Sequence, residues 1–282
     1  MKYTNNHILE FLEEWAPQST KLEYDNVGLL VGDHNQHVSK ILACLDVTED
    51  VADEAAAAGA DLVIAHHPLI FKKLSRITRS DMTGSLIYKL IRNDISLIAA
   101  HTNLDAAPGG VSHVMAERLG LQGVQFLKEE IPAGDEGNAS VGQNRQPAGF
   151  GAIGSFPEPV SIEDFLSLVS EKLNCGGIRY SGSPEYIRKV AVCGGAGSFL
   201  AGEALRQQAD AFVTSDLKYH DFFTETGSFL LVDAGHYETE VPIVGTLCDR
   251  LQERFPGIGV LETKVNTNPV SYFLNNKPSK QQ

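Results

Sequence analysis

The chain has 282 residues, of which 43% are hydrophobic and 21% are charged, and its formal net charge is −13 at pH 7. This length fits one large domain or two modest ones. The acidic balance argues against nucleic acid as a partner, because general nucleic-acid surfaces depend on Lys and Arg. The four cysteines stand far apart, which favours free thiols in a reducing compartment. With no apolar stretch of membrane-span length and no signal-peptide pattern, we expect no membrane association and a soluble, cytoplasmic protein.

The first elements of the chain end at a pair of histidines. The pattern predicts a helix over 6–15, a strand over 27–31 and a short, β-branched strand over 61–65. His66 and His67 follow that strand and precede Pro68, where open α/β sheets place their ligands. Neighbouring strand residues face opposite ways, so the chain must leave the strand here if both imidazoles serve one site. A strand-end histidine bonded to backbone is the structural alternative.

The segment 39–67 is repeated at 188–216 without a gap. Identical residues recur at an offset of 149, in the pairs Lys40 and Lys189, Cys44 and Cys193, Glu54 and Glu203, and Asp61 and Asp210. Both segments predict strand, turn, helix and strand, which is a βαβ unit with parallel strands. Upstream, the first helix and strand match a helix over 162–173, capped by Ser161, and a strand over 177–181.

The match continues beyond the repeated segment. A strand ends at His101 and Asp105 follows four residues later, while another strand ends at His236 and Glu240 follows four residues later. Amphipathic helices over 111–119 and 241–255 come next. The fold class predicted is therefore α/β, with two related lobes from an internal duplication and mainly parallel sheets flanked by helices.

The predicted division places the first half at 1–127 and the second at 156–282, with terminal elements free to pack across the halves. The stretch 128–155 between them is polar and rich in Gly, Pro and Asn, which predicts a linker.

The histidines indicate a metal site. Five of the nine lie at or just after predicted strand ends, namely His66, His67, His101, His220 and His236. The carboxyl ends of parallel strands share one edge, so these imidazoles should converge there with Asp105 and Glu240. This mixed nitrogen and oxygen set suits Zn, Fe, Mn, Co or Ni without separating them, and five ligands fit two ions better than one. Glu240 alone would be an ordinary residue of a helix's first turn.

Five motifs carry a resemblance to a known family. AHHPLIF, AAHTNLDAAPGG, SDLKYHD and DAGHYETE, with YDNVGLLVGD, resemble the GTP cyclohydrolase 1 type 2 homologues, a family with dinuclear metal centres. The resemblance runs from the first helix nearly to the C-terminus. It implies a homohexameric ring and two lobes facing the metals, and it implies that the inserted domain of longer members is absent from 128–155. The metal ligands that it implies are His66, His67, Asp105, His236 and Glu240, with Glu240 contacting both ions and with His101 and His220 lining the cleft.

The function implied by the resemblance is hydrolytic opening of a guanine nucleotide ring, with a small-molecule nucleotide as substrate. Two metals lower the pKa of water and supply hydroxide for such a reaction. The leaving nitrogen needs a proton, for which His220 is the first choice and His101 the second, although His220 could instead orient a ligand carboxylate. A two-metal phosphoesterase and a non-catalytic metal-binding or interaction protein are the alternatives.

Three further features have two interpretations each. The turn Gly194–Gly197 could hold a phosphate at a helix start, or it could be a tight turn that needs positive φ. Asp216 occupies the repeat position of His67 and could be an outer partner of a metal ligand. Asp25 and Asn26 could lie near the cleft or form a capped turn.

Overall fold

The computed structural model describes residues 2–131, 147–224 and 227–273. The elements of the first half are, in order, β1 (Tyr3–Thr4), α1 (Asn5–Trp15), β2 (Gly28–Val31), β3 (His37–Val38), β4 (Lys40–Cys44), α2 (Glu49–Ala58), β5 (Leu62–Ala65), α3 (Met82–Arg92), β6 (Ser96–Ala99), α4 (Thr102–Asp105), α5 (Val111–Arg118) and β7 (Gln122–Ile131). Those of the second half are β8 (Ala148–Val160), α6 (Ile162–Leu173), β9 (Arg179–Ser181), β10 (Ile187–Val192), α7 (Ala201–Arg206), β11 (Ala211–Thr214), β12 (Leu230–Asp233), α8 (His236–Glu240), α9 (Pro242–Arg254) and β13 (Gly259–Glu262).

Two sheets flanked by helices form the centre of the molecule, which confirms the predicted α/β class. The first has the order β13-β4-β5-β6-β2, with β2 antiparallel to β6 and the other pairs parallel. The second has the order β7-β8-β10-β11-β12-β9 and is mixed, because β10, β11 and β12 are parallel whereas the other three pairs are antiparallel. The predicted cap of α6 is present, because the Ser161 side chain accepts a hydrogen bond from the backbone N–H of Asp164.

The duplication is visible in repeated side-chain contacts. In each half, an aspartate just before the second strand of the βαβ unit accepts hydrogen bonds from two backbone N–H groups at the start of the first strand. A lysine at the start of the first strand donates a hydrogen bond to a backbone carbonyl at the end of the helix. These contacts are Asp61 with Ser39 and Lys40, Asp210 with Arg188 and Lys189, Lys40 with Ala58, and Lys189 with Gln207. Every partner recurs at the same offset of 149, which supports the repeat found in the sequence.

The two halves exchange elements. Strand β13 pairs with β4 of the first sheet, and buried residues of α9, such as Leu247 and Leu251, share a core with Ile8 and Leu12 of α1. In the other direction, β7 joins the second sheet, and Met115 of α5 packs in its core. The boundaries 1–127 and 156–282 therefore do not separate the two cores, and packing across the halves was part of the prediction.

The predicted linker over 128–155 needs correction at both ends. Residues up to Ile131 continue β7, and residues from Ala148 form β8, which pairs with both β7 and β10. The glycines that suggested a loop allow close strand contact, because a Cβ on Gly149 would lie 2.4 Å from the carbonyl oxygen of Lys128. The middle of the predicted linker, 132–146, lies outside the described residues.

The helices can be compared with the length and hydropathy of a membrane-spanning segment. Within 2–131, 147–224 and 227–273, none combines the length and apolar character that crossing a bilayer requires.

Candidate metal centre

Six of the seven predicted site residues meet where the carboxyl ends of the two sheets approach each other. Ligand atoms of His66, His67 and His101 lie within 4.8 Å of one another, and so do those of His67, His236 and Glu240. His67 belongs to both groups. Asp105 joins them through its Oδ1, which lies 3.6 Å from Nε2 of His66. We call these six residues the histidine–carboxylate cluster.

The two adjacent histidines reach the cluster because the chain leaves the regular strand after Ala65. The backbone N–H of His66 donates to the carbonyl of Cys44, and that of His67 donates to the next carbonyl, Leu45. In a regular strand alternate residues face one neighbour, so two consecutive bonds to the same side mark the end of regular geometry. The predicted departure from the strand is confirmed.

The carboxylates come from two short helices that follow β6 and β12. Asp105 ends α4, four residues after His101, and Glu240 ends α8, four residues after His236. Residues four apart share one helix face, so each helix presents an imidazole and a carboxylate together. The same device occurs once in each half of the molecule.

Every imidazole of the cluster is oriented by an acceptor at Nδ1. The acceptors lie 2.7–2.9 Å away. They are Ala100 O for His66, Asp46 Oδ1 for His67, Asp25 Oδ1 for His101 and Asp216 Oδ2 for His236. A proton held at Nδ1 leaves Nε2 as the available lone pair, which is the usual arrangement of metal-binding histidines.

Buried atoms at the centre lack partners that a cation would supply. Nε2 of His66 and Oδ1 of Asp105 have no hydrogen-bond partner among the described residues. Oε2 of Glu240 lies 2.9 Å from Nε2 of His67 and 3.0 Å from Nε2 of His236, so it gains a donor only if those imidazoles carry a second proton. A buried polar atom without a partner costs about 1–3 kcal/mol. The donor set therefore fits a divalent metal.

Protons balance the charges when no cation is bound. Burial disfavours the imidazolium of His67, but hydrogen bonds and charge from Asp46 and Glu240 raise its pKa to about 10. In the same way Glu240 and Asp216 outweigh burial and raise the pKa of His236 to about 9. Burial would raise the pKa of Glu240, yet His236 and His67 hold it well below its usual range. Metal binding would displace protons from these imidazoles.

His66 and Asp105 are neutral for a simpler reason. Complete burial lowers the pKa of His66 to about 3, so its lone pair is available at any physiological pH. Burial, together with the nearby charge of Glu240, raises the pKa of Asp105 well above its usual value. A cation would reverse this second effect, since it favours the ionised carboxylate.

Two further carboxylates lie at the site: Asp46, which was not predicted, and Asp25, which was expected either near the cleft or in a capped turn. Asp46 lies two residues after β4 and contacts His67, so its place just after a strand end was the available signal. Asp25 accepts hydrogen bonds from the backbone and hydroxyl of Thr102 as well as contacting His101, and these contacts hold its pKa well below the usual range despite burial. Asp216, predicted as an outer partner of a metal ligand, lies 2.8 Å from Nδ1 of His236.

His220 lies away from the cluster. It is exposed on the turn Tyr219–Phe222, and its ring packs against Tyr219 and Phe223. No hydrogen bond or ion pair within the described ranges joins its side chain to the cluster. The expected position of His220 in the cleft therefore needs correction, because the chain between β11 and β12 turns outward before it reaches His220.

The Gly194–Gly197 turn is a close-packed turn. The N–H groups of its three glycines are already bonded and are not available to a phosphate; their acceptors are Ser112 Oγ for Gly194, Thr239 Oγ1 for Gly195 and Thr214 Oγ1 for Gly197. Gly195 has φ +63°, and a Cβ there would lie 2.1 Å from Oε1 of Glu240. The turn thus serves the cluster by leaving room for Glu240.

A cavity of about 580 Å³ adjoins the cluster, a volume typical of small-molecule sites. His67 and His236 form part of its wall. The C-terminal segment 268–272 closes another side, and Thr267 bonds to Asp46 while Asn268 bonds to Glu238. The cluster therefore opens onto a space that a small substrate can occupy.

Two duplicated α/β halves, with imidazoles and carboxylates that could hold a metal at their sheet edges, define the class of this protein. Residues 3–269 match the model of the Duf34/NIF3 (NGG1p interacting factor 3) family. The chain belongs to this family.

Three relatives illustrate the similarity. A Clostridium perfringens protein named GTP cyclohydrolase 1 type 2 homolog is 35% identical over 252 residues, which are 88% of this chain and 91% of that protein. The crystal structure of a Staphylococcus aureus hypothetical protein has a TM-score of 0.86 at 31% identity and covers 96% of this chain and 99% of that one. A Bacillus cereus protein related to NIF3 has a TM-score of 0.86 at 28% identity, with the same coverage. The resemblance seen in the sequence motifs is thereby confirmed.

Proposed function

We propose that the histidine–carboxylate cluster holds two divalent metal ions and that the protein is a metal-dependent hydrolase. The observation that carries this proposal is the buried Oε2 of Glu240, which lies within 4.0 Å of Nε2 of His66, His67 and His236, while Oδ1 of Asp105 lies 3.6 Å from Nε2 of His66. A carboxylate placed among three imidazoles suits two ions, because it can contact both of them.

The residues divide between the ions by position. His66 and Asp105 would hold one ion, His67 and His236 would hold the other, and Glu240 would contact both. When bound, such a metal pair supplies a water of lowered pKa as a nucleophile for hydrolysis. Zn, Fe, Mn, Co and Ni all accept this mixed donor set.

His101 would supply the proton that a leaving group needs. Its ring lies 5.2 Å from that of His66 and 5.4 Å from that of His67, measured between centroids. The carboxylate of Asp25, 2.9 Å from Nδ1 of His101, orients the ring. His101 thus takes the role for which His220 was the first choice.

A guanine nucleotide is the substrate that we propose. Relatives of this chain are named GTP cyclohydrolase 1 type 2 homologs, and the adjoining cavity has the volume of a small-molecule site. In the reaction, water adds at the ring carbon between two nitrogens and one carbon–nitrogen bond breaks, which leaves a formamide. A second water hydrolyses the remaining bond from this carbon to nitrogen and releases formate. His101 would protonate the departing nitrogen.

The test is turnover of GTP by the metal-loaded protein, followed by assays for formate and for inorganic phosphate. We expect formate, and we expect the His101→Gln variant to keep its metal and lose turnover. Phosphate without formate would make the protein a two-metal phosphoesterase. If the metal-loaded protein turns over none of a broad panel of nucleotides, the result would favour the alternative of a non-catalytic metal-binding or interaction protein. Loss of metal in His101→Gln would make His101 a ligand.

We also propose a cytoplasmic homohexamer, as the sequence resemblance implies. Light scattering after gel filtration tests the assembly, since the mass should be six times the 30.6 kDa of one chain. A monomer at micromolar concentration would contradict it.

A further inference from the structure

Four carboxylates line the cavity beside the cluster, and all four are already engaged. Asp46 and Asp216 contact His67 and His236, and Glu238 accepts a hydrogen bond from Asn268. The fourth carboxylate, Asp233, pairs with Arg179. Among the described residues that line this cavity, Arg179 is the one Lys or Arg side chain.

Arg179 is held in place from several sides. It lies on β9 directly opposite Asp233 of β12, and its Nη2 donates to Asp233 and to the carbonyl of Leu217. Its guanidinium lies 5.3 Å from the ring centroid of Phe222. These contacts fix the group without using all of its donors, because a guanidinium has five N–H groups.

The remaining donors of Arg179 are accessible. Its Nε and Nη1 hydrogens have no partner among the described residues, and 63% of the side chain is exposed, whereas Asp233 is 8% exposed. A fixed guanidinium with free N–H groups in a cavity wall is suited to a phosphate or carboxylate oxygen. The apolar wall residues Leu45, Ile178 and Val270 suit the uncharged body of the same ligand.

We propose that Arg179 binds the anionic group of the substrate, a phosphate in the case of a nucleotide, while the reacting ring lies toward His67 and His236. This inference rests on the proposed function for the identity of the substrate. It assigns Arg179 a role in substrate affinity and selectivity that is separate from metal binding, because Arg179 contacts Asp233, Leu217 and Phe222 and none of the six cluster residues within the described ranges.

A cross-strand ion pair can also be purely structural, and a pair of opposite variants separates the two roles. Arg179→Gln removes the anion-binding group. Asp233→Asn keeps the guanidinium and removes the carboxylate that competes with a ligand for it. Arg206→Gln is the matched control, because Arg206 is also an exposed arginine in an ion pair, with Glu203 on α7.

The experiment is calorimetric titration of each metal-loaded protein with guanosine monophosphate and with guanosine. We expect the preference for the nucleotide to fall roughly tenfold to a hundredfold in Arg179→Gln, the range for a hydrogen bond to a charged group, to rise in Asp233→Asn and to be unchanged in Arg206→Gln. Metal content should stay constant throughout. In turnover, Arg179→Gln should raise KM with little change in kcat.

Three results would overturn the inference. They are equal nucleotide preference in Arg179→Gln and wild type, weaker nucleotide binding in Asp233→Asn, and a wild-type protein that binds neither compound. The hydrolase proposal is judged separately, since metal-dependent turnover of an uncharged substrate would support it while removing the role of Arg179. Loss of metal dependence would remove the hydrolase itself.

Discussion

Glu240 is the residue whose substitution should reduce metal binding most. Its Oε2 lies 2.9 Å from Nε2 of His67, 3.0 Å from that of His236 and 4.0 Å from that of His66. The Glu240→Gln change preserves side-chain volume and removes a negative charge that faces both metal positions. We therefore expect the metal content to fall from about two ions per chain to one or fewer.

The same variant should change the titration of the metal-free protein. Asp46 and Glu240 together raise the pKa of His67 to about 10, against an ordinary value of 6.5. With Glu240 neutral, Asp46 remains, so the pKa of His67 should fall part of the way toward 6.5. The imidazole resonances in an NMR titration of chelator-treated protein measure this directly.

Elemental analysis of the purified protein is the main assay, and Glu238→Gln is the control. Glu238 is a second buried glutamate on α8, with 5% exposure and no ion pair among the described residues. The control should keep the wild-type metal content. Full metal occupancy in Glu240→Gln, or an equal loss in both variants, would refute the assignment of Glu240.

Three further predictions concern the surroundings of the cluster. Asp46→Asn weakens the acceptor at Nδ1 of His67 and should reduce metal affinity by about 10–100-fold while the fold persists; equilibrium dialysis measures this, and unchanged affinity would contradict it. Gly195→Ala places a Cβ against Glu240 at positive φ, so it should lower the free energy of unfolding by about 1–3 kcal/mol and lower the metal content. Chemical denaturation measures this, and a variant as stable as the wild type would contradict the prediction. The raised pKa values of His67 and His236 mean that the metal-free native state holds protons which the unfolded chain has lost above about pH 6.5. The melting temperature of the metal-free protein should therefore fall as the pH rises from 6.5 toward 10, whereas the metal-loaded protein should show a smaller decline; equal declines in scanning fluorimetry would count against proton–metal exchange.

The duplicated βαβ units could be predicted because they are local. Their helices and strands are continuous in sequence, and the constant offset between Asp61 and Asp210 aligned them. The strand-end histidines followed from the same pattern, since parallel strands bring their carboxyl ends to one edge.

The features that were not predicted depend on long-range pairing. Strand β13 joins the first sheet beside β4, from which it is more than two hundred residues distant in the sequence. Strand β7 is mostly exposed, so it lacks the hydrophobic alternation that marks a half-buried strand. In β8 the amino-acid composition was misleading. Glycine is common in loops, but in β8 glycines such as Gly149 allow two strands to approach closely.

The site shows the same division between local and long-range information. His66, Asp105 and Glu240 were predicted because their spacing from strand ends is local. Asp25 reaches His101 across 76 residues, and Asp46 reaches His67 across 21, so their roles required the register of the sheet. The outward turn at His220 was equally unpredictable, since a histidine close after a strand usually stays at the sheet edge.

The central claim is that one shared cluster binds two metals, and anomalous scattering from crystals of the protein as purified tests it most directly. We predict two peaks about 3.5–4 Å apart, one beside His66 and Asp105 and the other beside His67 and His236, with Glu240 next to both. A single peak would contradict the claim. So would metal bound elsewhere, with the side chains of the histidine–carboxylate cluster hydrogen-bonded only to one another.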